Sequence, residues 1–374
     1  MAETTVRGRL VLDDRVAVGT ISVEDGLIAA VEIEDGATED SLPYIAPGFV
    51  DIHVHGWGGF DAMGGRASLD GMARGLLRRG VTSFLPTAVT APLSDLVEFA
   101  ETVRAWRASA PDDGAEPLGF NLEGPFLAES KRGAHDPTHL IAPSSVDAAD
   151  LEPLLEGLRV ITIAPELPGA IELIALLDGR GVIVSLGHSA ATEKQAEAAY
   201  AAGARSTTHL FNAMTGVDHR HPGLAVAALL DDNAWVELIA DGVHVDPALW
   251  PLIRRLKPAD RLLLVSDALP LAGTDATEGI VGGLKVEVRN GRVTLAGTTT
   301  LAGCAEALDI GVRNLALSGV PLPDAVAAAT RAPLSLLGVD DRGRVGVGQR
   351  ADLTELDARY RVRRVMRGGT WFEA

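Results

Sequence analysis

Cysteine is almost absent from this sequence, because Cys304 is the single cysteine among 374 residues. One cysteine excludes a disulfide framework within the chain, and this is typical of proteins of the reducing cytoplasm. The sequence also lacks an apolar run of the roughly 18 residues that a membrane-spanning helix needs. Residues 1–12 do not have the layout of a signal peptide. We therefore expect a cytoplasmic protein without a membrane partner.

Positive charge is scarce as well. Lys and Arg together number 33 against 51 Asp and Glu, so the formal net charge is −18. This charge argues against nucleic acid or an anionic membrane as a partner, because both repel an acidic surface. The hydrophobic fraction of 47% is ample for a large core, and the length predicts about two domains at roughly 150 residues per domain.

The two ends of the chain share a strand-like pattern. Segments with apolar residues suited to strands lie at 16–23, 27–33, 351–356 and 362–366. The Asp25-Gly26 pair between the first two segments predicts a hairpin. We therefore predict that residues 1–46 and 345–374 together form one small β domain, a β-sandwich built from both chain ends.

The middle of the chain, residues 47–344, alternates short apolar segments with helical patterns, as successive βα units do. Eight segments have the character of buried parallel strands: 49–54, 81–86, 118–122, 160–163, 182–186, 206–209, 236–240 and 262–266. Eight such units predict an α/β fold, a (β/α)₈ barrel of the TIM type. An Asn290-Gly291 pair predicts a β-hairpin inserted into the barrel near 284–297.

Polar residues that bind metals fall where the predicted strands end. His53 and His55 end the first strand, and their separation of two residues puts both side chains on one face. The third, fifth, sixth and eighth strands run into one such residue each, in the order Glu123, His188, His209 and Asp267. The carboxyl ends of barrel strands converge on one mouth, where active sites are built.

This set of residues predicts a metal-dependent hydrolase, because imidazole and carboxylate together suit Zn²⁺, Fe²⁺ or similar ions. The alternative for each residue taken alone is an ordinary hydrogen-bonded core group. It fails for the whole set, since burying these groups together without a metal carries a large desolvation cost. Asp267, at the end of the eighth strand, is placed to act as general base on a metal-activated water.

Six motifs at these positions resemble the N-acetylglucosamine-6-phosphate deacetylases, a family of the amidohydrolase superfamily. They are PGFVDIHVHG at 47–56, NLEGPF at 121–126, GHS at 187–189, HLFNAM at 209–214, ADGVH at 240–244 and VSDA at 265–268. The resemblance covers essentially the whole chain. It implies hydrolysis of the acetamide of N-acetyl-D-glucosamine 6-phosphate to D-glucosamine 6-phosphate and acetate, in amino-sugar catabolism or recycling.

The resemblance also implies roles for the metal-binding residues. Glu123, His188 and His209 would hold the primary ion, and His53 with His55 would help to hold a second ion that Glu123 bridges. One or two divalent ions per subunit, zinc or iron, are therefore expected. Other amidohydrolases usually have a carboxylated lysine where this chain has Glu123, which argues against dihydroorotase-like and hydantoinase-like enzymes.

Contacts around the reacting acetamide are implied in the same way. Asp267 would also protonate the leaving amine, and His135 would lie near the acetyl carbonyl and share in stabilising the oxyanion. His244 corresponds to a histidine that binds a sugar hydroxyl. Leu301 begins a segment that packs near the acetyl methyl group. Cys304, close by, is interpreted as a small core residue rather than a functional thiol.

Phosphate recognition is implied at a separate group of residues. The backbone amides of Asn212 and Ala213 correspond to family contacts with the 6-phosphate, and Arg220 corresponds to an arginine that contacts it, in the family also from a neighbouring subunit. A homodimer is expected on that ground. The alternative for Arg220 is a solvated loop residue, and His219, His221 and Glu166 have no role that the sequence decides.

Three other functions stay open at this point. The same reaction on N-acetylgalactosamine 6-phosphate differs only in the configuration of one hydroxyl of the sugar. An N-acyl amide hydrolase acting on an unphosphorylated substrate would keep the fold and the metal. A barrel without catalysis, serving as a scaffold, is a third alternative, which the complete set of ligands and Asp267 disfavour.

Overall fold

The computed structural model describes residues 4–34 and 36–374. Its strands, in chain order, are β1 (Thr4–Val11), β2 (Val16–Glu24), β3 (Leu27–Ile33), β4 (Tyr44–Pro47), β5 (Phe49–Val54), β6 (Gly56–Trp57), β7 (Phe60–Asp61), β8 (Val81–Ala88), β9 (Glu116–Pro117), β10 (Phe120–Glu123), β11 (Leu158–Ile163), β12 (Ile183–Leu186), β13 (Ser206–Thr207), β14 (Trp235–Leu238), β15 (Leu262–Leu264), β16 (Glu278–Val281), β17 (Leu284–Arg289), β18 (Arg292–Leu295), β19 (Leu301–Gly303), β20 (Leu353–Leu356), β21 (Val362–Arg367) and β22 (Thr370–Glu373).

The α-helices lie mainly between the strands of the middle segment. They are α1 (Arg66–Leu77), α2 (Leu93–Arg107), α3 (Ala148–Leu155), α4 (Ala170–Asp178), α5 (Glu193–Ala201), α6 (Leu224–Leu230), α7 (Trp250–Leu256), α8 (Leu308–Leu317), α9 (Leu322–Ala328) and α10 (Arg331–Leu337). Short 3₁₀ turns lie at Glu129–Lys131, Pro137–His139, Pro143–Ser145 and Pro247–Leu249. Among the described residues, no helix combines the length and the apolar character that crossing a membrane requires.

A parallel barrel forms the centre of the molecule, as predicted. Its strands pair in chain order from β5 through β8 and then from β10 to β15, so each of the eight predicted segments overlaps a strand. The ring closes where the backbone N–H of Asp267, just after β15, donates to the carbonyl of His53 in β5 at 2.9 Å. This closure brings the residue after the last strand beside the end of the first one.

Local sequence signals mark the two ends of α5, one of the helices around this barrel. Thr192 caps α5, because its hydroxyl accepts from the backbone N–H of Gln195 while the Gln195 side chain accepts from the N–H of Thr192. Gly203, just past the same helix, has φ of 119°, a conformation that glycine adopts at little cost. The helix α5 therefore begins and ends at residues whose types favour a helix boundary.

Strands from both chain ends build one seven-stranded sheet, in the order β22-β21-β20-β4-β1-β2-β3. Their apolar side chains share a core that includes Leu10, Ile21, Leu353 and Met366. The prediction that both ends form one β unit is confirmed. The division of the chain at 46/47 and 344/345 remains a prediction.

An inserted four-stranded sheet, β16-β17-β18-β19, lies next to the barrel mouth. The predicted turn joins β17 to β18, and Asn290 and Gly291 both have positive φ, at 53° and 74°. This is the backbone that a two-residue hairpin turn requires. The connection from β18 to β19 lines a cavity at the barrel mouth.

Candidate active site

The carboxylate of Glu123 is surrounded by imidazole rings at the barrel mouth. Its Oε1 lies 2.8 Å from His209 Nε2 and 3.0 Å from His188 Nε2. Its Oε2 lies 3.2 Å from the Nε2 atoms of both His55 and His135. All of these side chains are buried. The structure therefore gathers residues from separate strands around one carboxylate.

His53 in β5, His55 directly after β5, and Asp267 complete the group. The Nε2 atoms of His53 and His55 lie 3.2 Å apart, so both rings do point to one side. Asp267 Oδ1 lies 3.2 Å from His55 Nε2 and 3.6 Å from His53 Nε2. His53 Nε2 is also 3.6 Å from Glu123 Oε1. The six residues that the sequence placed at strand ends meet at one point.

Three of the rings are held in a defined tautomer by acceptors at their Nδ1 atoms. The pairs are His53 with Glu237 Oε2 at 3.0 Å, His55 with the Thr87 carbonyl at 3.1 Å and His188 with the Lys131 carbonyl at 2.8 Å. A carbonyl or an ionised carboxylate accepts hydrogen bonds and has no hydrogen to donate. Each Nδ1 therefore carries the hydrogen, and each Nε2 of the neutral ring presents a lone pair.

These Nε2 lone pairs converge on one another and on the carboxylate oxygens of Glu123 and Asp267. Such contacts between acceptors are unfavourable unless a cation lies among them. The arrangement is that of metal-binding histidines, which donate their second ring N–H to a carboxylate or carbonyl and so fix the ring. The residues present therefore fit a divalent metal ion.

His135 has the opposite tautomer. The backbone N–H of Thr90 donates to His135 Nδ1 at 3.3 Å, so the hydrogen of the neutral ring is on Nε2. That N–H points at Glu123 Oε2. His135 is thus a hydrogen-bond donor facing the metal-binding group rather than a ligand in it, which agrees with the role in oxyanion stabilisation that the resemblance implies.

Three of the gathered residues have left-handed backbone conformations. The φ values are 46° for His188, 28° for His209 and 52° for Asp267. Positive φ is uncommon outside glycine and costs on the order of 1–3 kcal/mol where the surrounding structure imposes it. The backbone N–H of His209 donates to Glu237 Oε2 at 3.1 Å, which helps to hold that turn.

The electrostatics of the group favour a cation. Burial raises the pKa of Glu123, but the rings of His53, His135 and His188 outweigh it and hold that pKa well below its usual value. Burial lowers the pKa of His188 to about 4, in spite of the neighbouring Glu123. Glu123 is therefore ionised and His188 neutral near pH 7, as metal ligands must be. Burial lowers the pKa of His55 as well, but Asp267 and Glu123 raise it to about 9, so metal binding there must displace a proton.

A cavity of about 760 Å³ opens above this group. Its walls include the five residues expected at the acetamide, the sugar and the phosphate: His135, Asn212, Ala213, His244 and Leu301. Arg220 does not line the cavity of its own chain, and it lies with His219 and His221 on an exposed loop. The backbone N–H of Asn212 is engaged within the chain, since it donates to the His209 carbonyl at 3.0 Å.

The segment after β10, residues 126–134, combines buried and cavity-lining residues. Phe126, Leu127 and Ala128 are buried, and Ala128 N–H donates to the His188 carbonyl at 2.9 Å. Lys131 and the three residues after it line the cavity. The first part of this segment is therefore anchored next to the metal-binding group.

Glu237 is the main residue of the site that sequence reasoning missed. It is 1% exposed, and its Oε2 contacts both His53 Nδ1 and the backbone N–H of His209. The available signal was a charged residue inside a short, otherwise apolar strand. Glu166, which had no assigned role, accepts from the Ser189 hydroxyl at 2.7 Å and so holds the turn after His188.

We expect Glu237 substitutions to weaken metal binding in two graded steps. Glu237→Gln keeps an acceptor for His53 and removes the charge, so the expected loss of metal affinity is about tenfold, at the lower end of the range for residues that orient ligands. Glu237→Leu removes the acceptor too, and the expected loss is about 100-fold or more. Competition with a chromogenic chelator measures both values, with Glu197→Gln on the exposed face of α5 as control. Equal affinities in all variants would contradict this role.

Comparison with known proteins supports the interpretation of the site. The model of the Amidohydrolase family matches residues 44–372. The chain is 38% identical over 353 residues to N-acetylgalactosamine-6-phosphate deacetylase of Escherichia coli O157:H7, covering 92% of each chain. It is 35% identical over 372 residues to N-acetylglucosamine-6-phosphate deacetylase of Vibrio furnissii, covering 96% of this chain and 91% of that protein.

A solved structure is similar over nearly the full length. It is a mutant of N-acetyl-D-glucosamine-6-phosphate deacetylase from Mycobacterium smegmatis in complex with N-acetyl-D-glucosamine-6-phosphate. It aligns with a TM-score of 0.91 at 33% identity and covers 99% of both chains. With the family model matching most of its length and with relatives of this identity and coverage, the chain belongs to the amidohydrolase family.

Proposed function

We propose that this protein hydrolyses the acetamide of N-acetyl-D-glucosamine 6-phosphate to D-glucosamine 6-phosphate and acetate. One observation carries the proposal: ligand-type Nε2 atoms converge on Glu123 beside Asp267, at the floor of a cavity large enough for an amino-sugar phosphate. The relatives that carry this activity by name match the chain over nearly its whole length.

We assign the primary divalent ion to Glu123, His188 and His209, and a second ion to His53 and His55 with Glu123 shared. Zinc and iron are the ions that suit this mixture of imidazole and carboxylate. A bound ion of this kind lowers the pKa of water from about 15.7 to roughly 7 and polarises a carbonyl oxygen.

Asp267 moves the protons of the reaction. Burial raises its pKa, but the neighbouring imidazole rings of His55 and His53 lower it below its usual value, so the carboxylate is ionised and ready to accept. It takes a proton from the water that attacks the acetyl carbon. The C–N bond then breaks, acetate forms, and Asp267 returns the proton to the leaving amine nitrogen.

His135 stabilises the charge that develops on the acetyl oxygen. Because Thr90 N–H occupies its Nδ1, the ring keeps its hydrogen on Nε2, which lies beside Glu123 at the barrel mouth and would donate to the acetyl oxygen of a bound substrate. A donor that is already oriented costs little reorganisation when the oxyanion forms. In the proposed complex the methyl group packs near Leu301, and His244 binds a sugar hydroxyl.

The phosphate is received by positive charge that a second subunit supplies. Arg220 lies on an exposed loop outside its own cavity, and this position supports a contact with the cavity of a neighbouring copy. A homodimer follows from that assignment. Ala213, which lines the cavity, offers its backbone amide to the same phosphate.

Turnover by the metal-loaded protein tests the substrate assignment. We expect N-acetylglucosamine 6-phosphate to exceed both N-acetylgalactosamine 6-phosphate and unphosphorylated N-acetylglucosamine in kcat/KM. The galactosamine compound belongs in the comparison because the E. coli relative is named for it. Preference for the galactosamine compound would change the sugar and keep the reaction. Absence of turnover of any of them would overturn the proposal.

The variant Arg220→Ala separates phosphate recognition from chemistry. It should raise KM for the phosphorylated sugar and leave kcat largely unchanged, while the exposed Arg255→Ala serves as control. An unchanged KM would remove Arg220 from the site.

A further inference from the structure

A second group of metal-ligand side chains lies on the cavity wall, separate from Glu123. Asp241 Oδ2 is 2.7 Å from His244 Nδ1 and 3.5 Å from Cys304 Sγ. One ligand atom from each of the three residues lies within 4.8 Å of the others. Asp241 and His244 follow β14, whereas Cys304 directly follows β19, so the inserted sheet brings the thiol to the barrel mouth.

The group is enclosed and yet within reach of a small ion. The side chains of His244 and Asp241 are 4% and 7% exposed, and Cys304 is 3% exposed. His244 and Gly303, the residue before the cysteine, line the cavity of the proposed active site. An ion that enters this cavity therefore meets His244 first, and behind that ring Asp241 contacts His244 and Cys304 contacts Asp241.

We propose that Asp241, His244 and Cys304 form an additional binding site for a thiophilic divalent cation, Zn²⁺ or Cd²⁺, and that its occupation inhibits the enzyme. Thiolate, imidazole and carboxylate are the three side-chain ligands that zinc uses. The thiolate distinguishes this site from the group around Glu123, whose ligand atoms are only nitrogen and oxygen.

The Sγ–Oδ2 separation fits this ion as it stands, and the Nδ1–Oδ2 separation fits it after one small movement. Zinc bonds of about 2.3 Å to sulfur and about 2.1 Å to oxygen, at a tetrahedral angle, place those two ligand atoms about 3.6 Å apart. The observed separation of Sγ and Oδ2 is 3.5 Å. Nitrogen and oxygen ligands would be about 3.4 Å apart, so His244 Nδ1 must move about 0.7 Å from its present hydrogen bond with Asp241 (2.7 Å). Water completes the fourth position.

Binding releases one proton and moves another. The Cys304 thiol loses its proton to solvent as the sulfur–metal bond forms. The His244 hydrogen leaves Nδ1, which becomes the ligand, and Nε2 takes a hydrogen from solvent in exchange. Asp241 is already a carboxylate, because its contacts with His244 and with backbone N–H groups outweigh the effect of burial and keep its pKa low.

Inhibition follows because His244 cannot bind the substrate and the inhibitory ion at the same time. In the metal-free dyad, Asp241 accepts from Nδ1 and so orients the ring with Nε2 free for the substrate. In the metal-bound state the ring is turned toward the ion and its Nε2 becomes a fixed donor. The inhibition rests on the proposed function, whereas binding of the ion does not.

Cadmium absorption gives a direct test, since Cys304 is the only cysteine of the chain. Cd²⁺ added to the metal-loaded protein should produce thiolate-to-cadmium charge-transfer absorption in the ultraviolet that saturates at one ion per chain. Cd²⁺ exchanged into the Glu123 group cannot produce it, because that group has no sulfur ligand. Burial and the nearby Asp241 raise the pKa of the Cys304 thiol well above its usual value, so no thiolate background is expected.

Cys304→Ser is the matched variant, with Cys304→Ala in reserve if the serine protein folds poorly. It should abolish the absorption and weaken inhibition by added Zn²⁺ or Cd²⁺ by at least about tenfold, the lower bound for losing a residue that supports a metal. Absence of charge-transfer absorption in the unmodified protein would overturn the site even if the substrate assignment is also wrong. If the unmodified protein shows the absorption but Cys304→Ser is inhibited by the same metal concentrations, the inhibitory role is overturned.

Discussion

An Asp267→Asn variant is expected to lose about 10²- to 10⁴-fold in kcat, the usual contribution of a general acid–base residue. The amide keeps the size and shape of the side chain but neither accepts the proton of water nor delivers one to the amine. Metal content should stay near that of the unmodified protein, because the primary ion is assigned to Glu123 and two histidines. Steady-state kinetics measures kcat, and elemental analysis of the same preparation measures its metal content.

The control for this variant is Asp275→Asn, an exposed aspartate in the connection that follows β15. It removes the same charge without touching the barrel mouth, and its kcat should be unchanged. Loss of metal in step with loss of turnover in Asp267→Asn would assign the aspartate to metal binding instead of proton transfer.

Glu123→Gln is expected to abolish both metal binding and turnover. The Glu123 oxygens contact four Nε2 atoms at 2.8–3.2 Å, so one substitution removes the negative charge at the centre of the group. We expect metal affinity to fall by more than about 100-fold, since even residues that only orient ligands account for about 10- to 100-fold. Residual turnover should match that of unmodified protein treated with a chelator.

Adding the metal ion back distinguishes Glu123→Gln from unmodified protein that has lost its metal. Saturating metal should return activity to the chelated unmodified protein but leave Glu123→Gln inactive. Glu129→Gln is the matched control, because Glu129 lines the same cavity but is exposed and lies in a 3₁₀ turn away from the histidines. A Glu123→Gln protein with full metal content and near-normal kcat would exclude the assigned ligand set.

The order of the barrel strands and the meeting of His53, Glu123, His188, His209 and Asp267 were predictable from the sequence. Parallel strands joined by helices must point the same way, so residues that end successive strands share one mouth. Short apolar segments between helical patterns are enough to locate those strands. Side chains alternate along a strand, so the separation of two residues was enough to predict that His53 and His55 point to the same side.

Features that depend on neighbours distant in the chain were not predictable. Glu237 holds His53 across 184 residues, and the ring tautomers of His55 and His188 depend on backbone carbonyls that no residue type reveals. Sequence reasoning treated Cys304 as a core residue. Its burial agrees with that, yet the inserted sheet places its sulfur beside Asp241.

Sequence by itself therefore determined the type of fold, the ligand types and the chemistry they favour. Only the tertiary structure decided which ring nitrogen presents a lone pair in three of the ligand histidines, that His135 donates where its neighbours accept, and that Arg220 lies outside its own cavity. The physical reason is that strand and helix periodicities are local, whereas a hydrogen bond or a metal site requires atoms from distant segments to agree within a few tenths of an ångström.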